Sequence, residues 1–567
     1  MMNLPTVHKD VLSFAFDHSV DYDESQPLYI DARNPSRSLN ANQLRRIVRA
    51  LIAGLRRYIK QGECVLVHLG NSYVHSALFF GIIGAGGVYM GASPDSPPHE
   101  LANVLELGRP RLIITTNQTL HAVLSVATSK GLGPEQICPF EELTITSFLE
   151  SNLSHHRQNA ETITLYDLLA CGDEDWIKFD DESLAKTTPA AMYCTSGTSG
   201  LPKAAIISHQ AVVSQHLNKQ YEVPYAIRRL VTVPVYHRFG ALWHAFPIRQ
   251  GEPAYFLQKF ELNHFLDAVH SNRITDVFIV PAIVHLSLQS SRPVAELLSS
   301  LRMVGVSGAP IDTESLQKFQ GLLHKQATAA QSWGMTETGP VFVCRYGERV
   351  DKGSIGKLVG INEARLIDDE GMIITSDNCP GELYIRGTGL FSNYKGRDDG
   401  VDADGWFRTG DVAYRQNEYY YLFGRVKEII KVQGQEKPQP CSTTILLKVV
   451  LRNQVAPAEI EAILSKHPGI SDAAVLGVQS SDKSTELPRA FVVKSSAFKA
   501  NLTADEVYQF AKSQLAGYKA LDGGVVFVSD IPRTASGKIL RDKLAQMNAR
   551  REKIAQVLSR RVIKVVT

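Results

Sequence analysis

YCTSGTSGLPK, residues 193–203, is the most informative stretch in this chain. Glycines alternate here with small hydroxyl residues, and the stretch ends at Lys203. Glycines let neighbouring main-chain N–H groups turn toward one point, and hydroxyls add further donors. With a lysine charge at its end, such a loop predicts a phosphate-binding site, although a surface loop of small polar residues is the alternative interpretation. It is not a Walker loop, because the pattern GxxxxGK[ST] is absent.

On both sides of this loop, apolar strand-like runs alternate with helical patterns. CVLVHLG (64–70) and DVFIVP (276–281) are typical of strands, and residues 39–59 have helical periodicity. This alternation predicts an α/β fold with largely parallel sheets. From about 350 to 424, short strands and turns predict a small β-barrel-like subdomain. We therefore expect a large multi-layer N-terminal domain over 1–426 and a small mobile α+β C-terminal domain over 427–567.

Bulk properties limit the function classes. A chain of 567 residues is too long for one hydrophobic core, and a net charge of +2 predicts no attraction to nucleic acid. The most apolar run, 77–92, is short for a membrane span, and we interpret it as a buried helix turning into a strand. No secretory signal is seen at the N-terminus, and the final VIKVVT is not a peroxisomal tripeptide. A cytoplasmic location is expected, with the peroxisome left open.

Four later motifs accompany the loop. They are SWGMTE (332–337), WFRTGD (406–411), GRVKE (424–428) and PRTASGK (532–538). Together with TSGTSGLPK, their order and spacing resemble the adenylate-forming superfamily, which includes acyl-CoA synthetases, aryl-CoA ligases, beetle luciferases and peptide-synthetase adenylation domains. The resemblance covers nearly the whole chain.

The resemblance implies a two-step, ATP-dependent reaction. A carboxylic acid is activated as an acyl-adenylate with release of pyrophosphate, and the acyl group then passes to the thiol of coenzyme A. One alternative is a free-standing enzyme that loads a carrier-protein phosphopantetheine, but only residues 539–567 follow Lys538, which favours coenzyme A. Another is a non-catalytic relative that binds nucleotide or acyl ligand, against which Lys203, Glu337, Asp411 and Lys538 speak. Oxidative light emission is neither supported nor excluded by these residues.

The resemblance also assigns the nucleotide site. Trp333, where the family usually has tyrosine, would lie against the adenine, with a core aromatic as the alternative interpretation. Thr336 would hydrogen-bond the α-phosphate, and Asp411 would accept from the ribose hydroxyls. Glu337 would hold Mg²⁺, a cation that prefers oxygen ligands. Arg425 would reach the ribose or phosphate. The remaining expected nucleotide-binding residues are Thr195, Ser196, Gly197, Thr198, Ser199, Gly200, Lys203, Gly308, Ala309, Pro310, Ser332 and Gly334.

Lys538 is the residue expected to promote the first reaction. A substrate carboxylate must approach an α-phosphate that is also negative, so the repulsion must be cancelled and the two groups held together. A lysine between them does both, and no nucleophilic side chain is required because the substrate is itself the nucleophile. The alternative interpretation is an exposed loop lysine.

The acid site is expected around PVYHRFG, residues 234–240. His237 would stand where the acyl pocket meets the thiol tunnel. Trp243 would shorten the pocket and favour a compact or aromatic acid if it points inward, or else pack in the core. Arg238 is expected at the surface, with contact to a polar group of the substrate as the alternative. The other pocket residues implied by the resemblance are Phe239, Gly240, Val306 and Ser307.

The C-terminal domain carries the hinge and one departure from the family pattern. Lys427 matches the hinge about which this domain would swing between the two steps. Lys431 and Gln454 match a pair of family residues near the adenylate, but the insertion 436–453 (EKPQPCSTTILLKVVLRN) separates them. It is either a tolerated surface loop or the product of a retained intron or gene-model error. If it is real, we expect it to impair thioester formation more than adenylation.

Overall fold

The computed structural model describes residues 7–151, 162–195, 202–219, 221–348, 352–432, 454–480, 485–495, 502–533 and 538–551. Five predicted phosphate-loop residues, namely Ser196, Gly197, Thr198, Ser199 and Gly200, therefore lie outside the described residues, as does the insertion 436–453.

Two mostly parallel sheets form the centre of the N-terminal domain. In each, only the last pair of strands is antiparallel. The six-stranded sheet has the order Ile137–Phe140, Leu112–Thr116, Cys64–His68, Val88–Ala92, Pro189–Thr195 and Lys203–Ser208. The seven-stranded sheet has the order Thr328–Gln331, Met303–Val306, Asp276–Ile279, Arg229–Val231, Ala254–Phe256, Tyr29–Asp31 and Ser38–Leu39.

An eight-stranded antiparallel sheet follows in sequence. The predicted β-rich segment, about 350–424, lies within it, but the sheet begins earlier, at Trp333. Its order is Trp333–Met335, Gly339–Val343, Lys357–Leu358, Tyr419–Arg425, Phe407–Gln416, Gly381–Arg386, Glu363–Ile367 and Ile373–Ile374.

The C-terminal domain has its own small core. A two-stranded ribbon pairs Ile430–Lys431 with Gln454–Val455. A three-stranded sheet of Ile470–Gln479, Glu486–Lys494 and Val525–Phe527 packs its apolar side chains against those of two helices.

Helices cover the sheets. The helix Ala41–Leu55 illustrates why they form: Asn40 and Gln43 make a reciprocal capping box at its start, and an apolar stripe is buried along its length. Among the described residues, the α-helices include Val11–Phe16, Ala41–Leu55, His75–Gly84, Pro98–Gly108, Leu120–Ser129, Glu142–Leu149, Leu165–Leu169, Glu182–Thr187, His209–Lys219, Arg238–Ala241, Phe246–Gln250, Leu262–Ser271, Pro281–Leu288, Val294–Leu297, Thr313–Gly321, Pro457–Leu464 and Ala504–Gln514, and the 3₁₀ helices include Pro134–Gln136, Leu242–His244 and Gly517–Lys519. Residues 541–551 are also helical.

The predicted α/β class with a small C-terminal domain is confirmed. The apolar run 77–92 is, as predicted, a buried helix (His75–Gly84) followed by a buried strand (Val88–Ala92). Among the described residues, no helix combines the length and the apolar character that crossing a membrane requires.

Candidate active site

The predicted site residues gather beyond the carboxyl ends of the two parallel sheets, where ligands bind in open α/β folds. Thr195 ends one strand, and Ser307 and Ser332 directly follow two neighbouring strands of the other sheet. The Ser332 N–H donates to the carbonyl of Val306 at 2.9 Å, and the Ser307 hydroxyl donates to the carbonyl of Ser332 at 2.9 Å. Hydrogen bonds of ordinary length therefore hold these strand ends together.

Beside them, Gly308, Ala309 and Pro310 form the segment expected along the adenine. Gly308 is exposed and has a backbone φ of +91°, which residues other than glycine rarely adopt. The exposed turn leaves its main chain available to a ligand.

Asp411 is the most constrained carboxylate of the site. It is only 5% exposed, and both of its oxygens are engaged: Oδ2 accepts from the indole N–H of Trp333 at 3.0 Å, and Oδ1 lies 2.6 Å from Nε of Arg425. Burial raises the pKa of Asp411, and the opposing influences of Arg425 and Trp333 limit the rise. Asp411 and Arg425 are direct partners in adjacent antiparallel strands, so the fold itself brings this pair together.

Trp333 packs in the core as well as binding Asp411. It is 7% exposed, and its ring lies 5.6 Å from that of Phe342. Gly334, next in the chain, has no room for a side chain, because a Cβ would lie 2.3 Å from the carbonyl oxygen of Gly339.

Lys203, Tyr394 and Glu337 form a chain of contacts on the side of the site that is expected to bind phosphate, here called the phosphate side. The ammonium of Lys203 lies 4.3 Å from the centre of the Tyr394 ring and 3.0 Å from Oδ2 of Asp399. The Tyr394 hydroxyl donates to Oε1 of the buried Glu337 at 2.7 Å. Burial first, and the charge of Glu337 second, raise the pKa of Tyr394, so the phenol stays protonated and remains a donor.

Lys538 lies near Arg425, Glu428 and Asp411. Burial lowers its pKa, and so does the charge of Arg425, whereas the charges of Glu428 and Asp411 raise it. The C-terminal lysine is therefore close to the residues expected to hold the ribose and phosphate. It is partly buried, which is not the exposed loop lysine of the alternative interpretation.

His237 directly precedes the short helix Arg238–Ala241. Its side chain reaches solvent, yet the surrounding walls desolvate it and lower its pKa, which favours the neutral imidazole. Gly240 follows in a tight turn where a Cβ would lie 2.1 Å from the carbonyl oxygen of Pro234, so only glycine fits.

Aromatic rings packed beside the His237 turn form what we call the aromatic wall of the expected acid site. The partly exposed ring of Phe239 meets Phe278 edge-on at 6.1 Å, and Phe278 lies 5.4 Å from Trp243. Trp243 is 2% exposed, so the structure favours the core alternative for it: it supports the wall from behind Phe278. Val306 is buried at the neighbouring strand end.

Arg238 is not where the sequence placed it. The expectation of a surface arginine is wrong, because Arg238 is 3% exposed. Its guanidinium donates to the carbonyls of Thr336 and Gly389.

The hinge region carries polar contacts. Lys427 is exposed just after the strand Tyr419–Arg425, and Arg541 of the C-terminal domain contacts Glu428 at 2.9 Å. Lys431 and Gln454 are direct partners in the antiparallel ribbon, so the structure rejoins the pair that the insertion separates in sequence.

The fold thus brings together Trp333, Asp411, Arg425 and Lys538 on one side and Lys203 and Glu337 on the other. Sequence reasoning missed Tyr394, Asp399 and the buried position of Arg238. No motif marks the first two, and the only signal for Arg238 was its place directly after His237.

Comparison with known proteins shows the family of this chain. The family model described as AMP-binding enzyme matches residues 16–395, and the model described as AMP-binding enzyme C-terminal domain matches residues 459–538. The chain is 47% identical to a nicotinic acid-CoA ligase, olcI, of Penicillium canescens, covering 97% of this chain and 100% of the relative. It is 48% identical to a nicotinic acid-CoA ligase, pyr1, of Aspergillus fumigatus, covering 98% and 99%.

Solved structures share the fold. MatB from Rhodopseudomonas palustris with bound ATP gives a TM-score of 0.77 at 22% identity, covering 95% of this chain and 98% of that one. The anthranilate CoA ligase AuaEII in complex with anthranoyl-AMP gives 0.77 at 20% identity, covering 98% and 99%.

Proposed function

Because this chain belongs to the AMP-binding enzyme family and is an AMP-forming acyl-CoA ligase, we propose that the acid it activates is nicotinic acid. The observation that carries the proposal is that two fungal relatives, each nearly half identical over almost its whole length, are named nicotinic acid-CoA ligases. The aromatic wall of Phe239 and Phe278, backed by Trp243, supports it, because flat rings pack well against a small aromatic acid.

In the first step, a carboxylate oxygen of the acid forms a bond to the α-phosphorus of ATP, and the bond from that phosphorus to the bridging oxygen of pyrophosphate breaks. Lys538 would stand between the two negative groups and cancel their repulsion. Asp411 would accept from the ribose hydroxyls, and Lys203 would bind the leaving phosphates. To do so, Lys203 would exchange its contact with Asp399 for the ligand.

The residues at the phosphate side suit a magnesium ion. Glu337 is a buried carboxylate with one oxygen held by Tyr394, and the Thr336 hydroxyl is adjacent in the chain, so the donors are the hard oxygens that Mg²⁺ prefers. Glu337 would hold the ion, which when bound would neutralise phosphate charge.

In the second step, the sulfur of coenzyme A attacks the acyl carbon and AMP leaves with the bonding electron pair. His237 would stand at the junction of acid and thiol. The C-terminal domain would swing about Lys427 and carry Lys538 out of the active site. The same rotation would move the Lys431–Gln454 ribbon, which belongs to this domain.

Acid-dependent exchange of pyrophosphate into ATP tests the first step with nicotinic, benzoic, anthranilic, phenylacetic and hexanoic acids. We expect nicotinic acid to give the highest kcat/KM, and mass spectrometry to find nicotinoyl-CoA once coenzyme A is added. Exchange with another acid but not with nicotinic acid would refute nicotinic acid as the substrate. Exchange with nicotinic acid but no thioester would refute coenzyme A as acceptor and point to a carrier protein.

A further inference from the structure

Arg238 is a buried cation at a place where the sequence suggested a surface residue. It is 3% exposed, and burial lowers its pKa to about 9, although Tyr193 and Glu337 act in the opposite direction. A buried guanidinium is costly unless its donors are satisfied. The contacts that satisfy them therefore indicate its purpose.

Main-chain carbonyl oxygens of two separate segments accept hydrogen bonds from the guanidinium. Nη1 donates to the carbonyl of Thr336, and Nη2 donates to the carbonyl of Gly389 at 2.5 Å. The side-chain amide of Gln215 lies against the same guanidinium, and with its oxygen turned inward it accepts from Nε at 2.5 Å. A planar fork with fixed donors suits such a bridge better than the single ammonium of lysine.

Both anchored segments lead directly to the phosphate side of the site. Thr336 precedes Glu337, whose carbonyl accepts from the N–H of Phe391 at 2.8 Å. Three residues beyond Phe391, Tyr394 donates to the Glu337 carboxylate. Arg238 therefore anchors the main chain at both Thr336 and Gly389, and the segment 389–394 in turn contacts Glu337 through Phe391 and Tyr394.

Arg238 also directly follows His237, which is expected at the acid site. The turn that carries both residues is tight, because the N–H of His237 donates to the carbonyl of Pro234 at 3.1 Å. The guanidinium is thus a short mechanical link between the acid side and the phosphate side of the cleft.

We propose that Arg238 is a positioning residue that holds the Thr336–Glu337 turn in the geometry that binds the α-phosphate and the divalent cation. The inference rests on the proposed roles of Thr336 and Glu337, but not on the identity of the acid. Arg238 does not touch the reacting atoms; it acts through the main chain it anchors.

Equilibrium binding tests this inference without catalysis. For Arg238→Lys and Arg238→Met, calorimetry would measure binding of adenosine, and of a non-hydrolysable ATP analogue over a magnesium titration. We expect the magnesium midpoint for analogue binding to rise about tenfold in both variants, whereas adenosine binding changes less than twofold. Lysine keeps the charge in the core, so that variant remains informative if the methionine variant fails to fold.

Arg229→Lys is the matched control. Arg229 is likewise a buried arginine, but it pairs with Glu252 and Asp276. This cluster lies at the amino ends of the parallel strands, whereas the site lies at their carboxyl ends. This variant should lower the melting temperature and leave the magnesium midpoint unchanged. A magnesium midpoint unaltered in Arg238→Lys, or equal losses of adenosine and analogue binding, would overturn the assignment and make Arg238 a packing residue only.

Discussion

The indole N–H of Trp333 donates to Oδ2 of Asp411 at 3.0 Å, while Arg425 occupies the other oxygen of the same carboxylate. A residue expected to lie against the adenine or in the core is therefore also a partner of the residue expected to hold the ribose. The two roles are separable, because phenylalanine keeps a ring and loses the donor.

For Trp333→Phe, we expect KM for ATP to rise about tenfold, since a hydrogen bond to a buried charge is worth about 1.5–3 kcal/mol. The effect should shrink with 2′-deoxy-ATP or 3′-deoxy-ATP, because the carboxylate then has one fewer hydroxyl to bind. Steady-state kinetics with the three nucleotides would measure this coupling. Equal losses with all three would mean that Trp333 acts only on the adenine or the core.

Lys538→Ala separates the two half-reactions. Acid-dependent pyrophosphate release should fall roughly 100-fold or more, the scale seen when one charge-stabilising donor is removed. Thioester formation from supplied nicotinoyl-adenylate should be nearly unchanged, because Lys538 has no role in that step. Normal pyrophosphate release would remove Lys538 from its assigned role, and Lys543→Ala, an exposed lysine further along the same domain, is the control.

The pH dependence of adenylation should carry the mark of Lys538. Burial and Arg425 lower the pKa of this lysine, and only its charged form cancels the repulsion. Adenylation should therefore persist below that pKa and decline as pH rises through it, earlier than an ordinary lysine with a pKa of about 10.4 would allow. A pH–rate profile of pyrophosphate exchange checks this, and in Lys538→Arg the alkaline decline in rate should shift to higher pH. A decline that stays at the same pH would mean that another group titrates there.

Deleting 436–453 tests whether the insertion matters. Lys431 and Gln454 are ribbon partners, and after the deletion only 432–435 would connect them, a length within the roughly 2–5 residues of hairpin loops. The shortened chain should therefore fold. We expect thioester formation to rise more than adenylation, and equal rates for both chains in both half-reactions would contradict this.

The sequence predicts much of this molecule because local patterns carry local structure. The runs 64–70 and 276–281 contain the strands Cys64–His68 and Asp276–Ile279, and the motifs ending in Asp411 and Lys538 meet in space. Arg238 could not be placed in this way. Its partners Thr336 and Gly389 are distant in sequence, and the residue type alone does not show that this arginine is buried.

Asp399 was missed for a related reason. Its pairing with Lys203 depends on the segment 392–395, which runs along the strand Lys203–Ser208 through main-chain hydrogen bonds such as that from the Lys395 N–H to the Ala204 carbonyl at 2.8 Å. Such long-range docking leaves no periodic signal in either segment.

The central claim is that this chain joins nicotinic acid to coenzyme A through an acyl-adenylate. The most direct measurement is mass spectrometry of a reaction of the purified full-length chain with ATP, magnesium, coenzyme A and an equimolar mixture of nicotinic, benzoic, anthranilic and phenylacetic acids. The account predicts nicotinoyl-CoA and AMP as the dominant products, both absent in Lys538→Ala. A dominant thioester of another acid, or ADP in place of AMP, would contradict it.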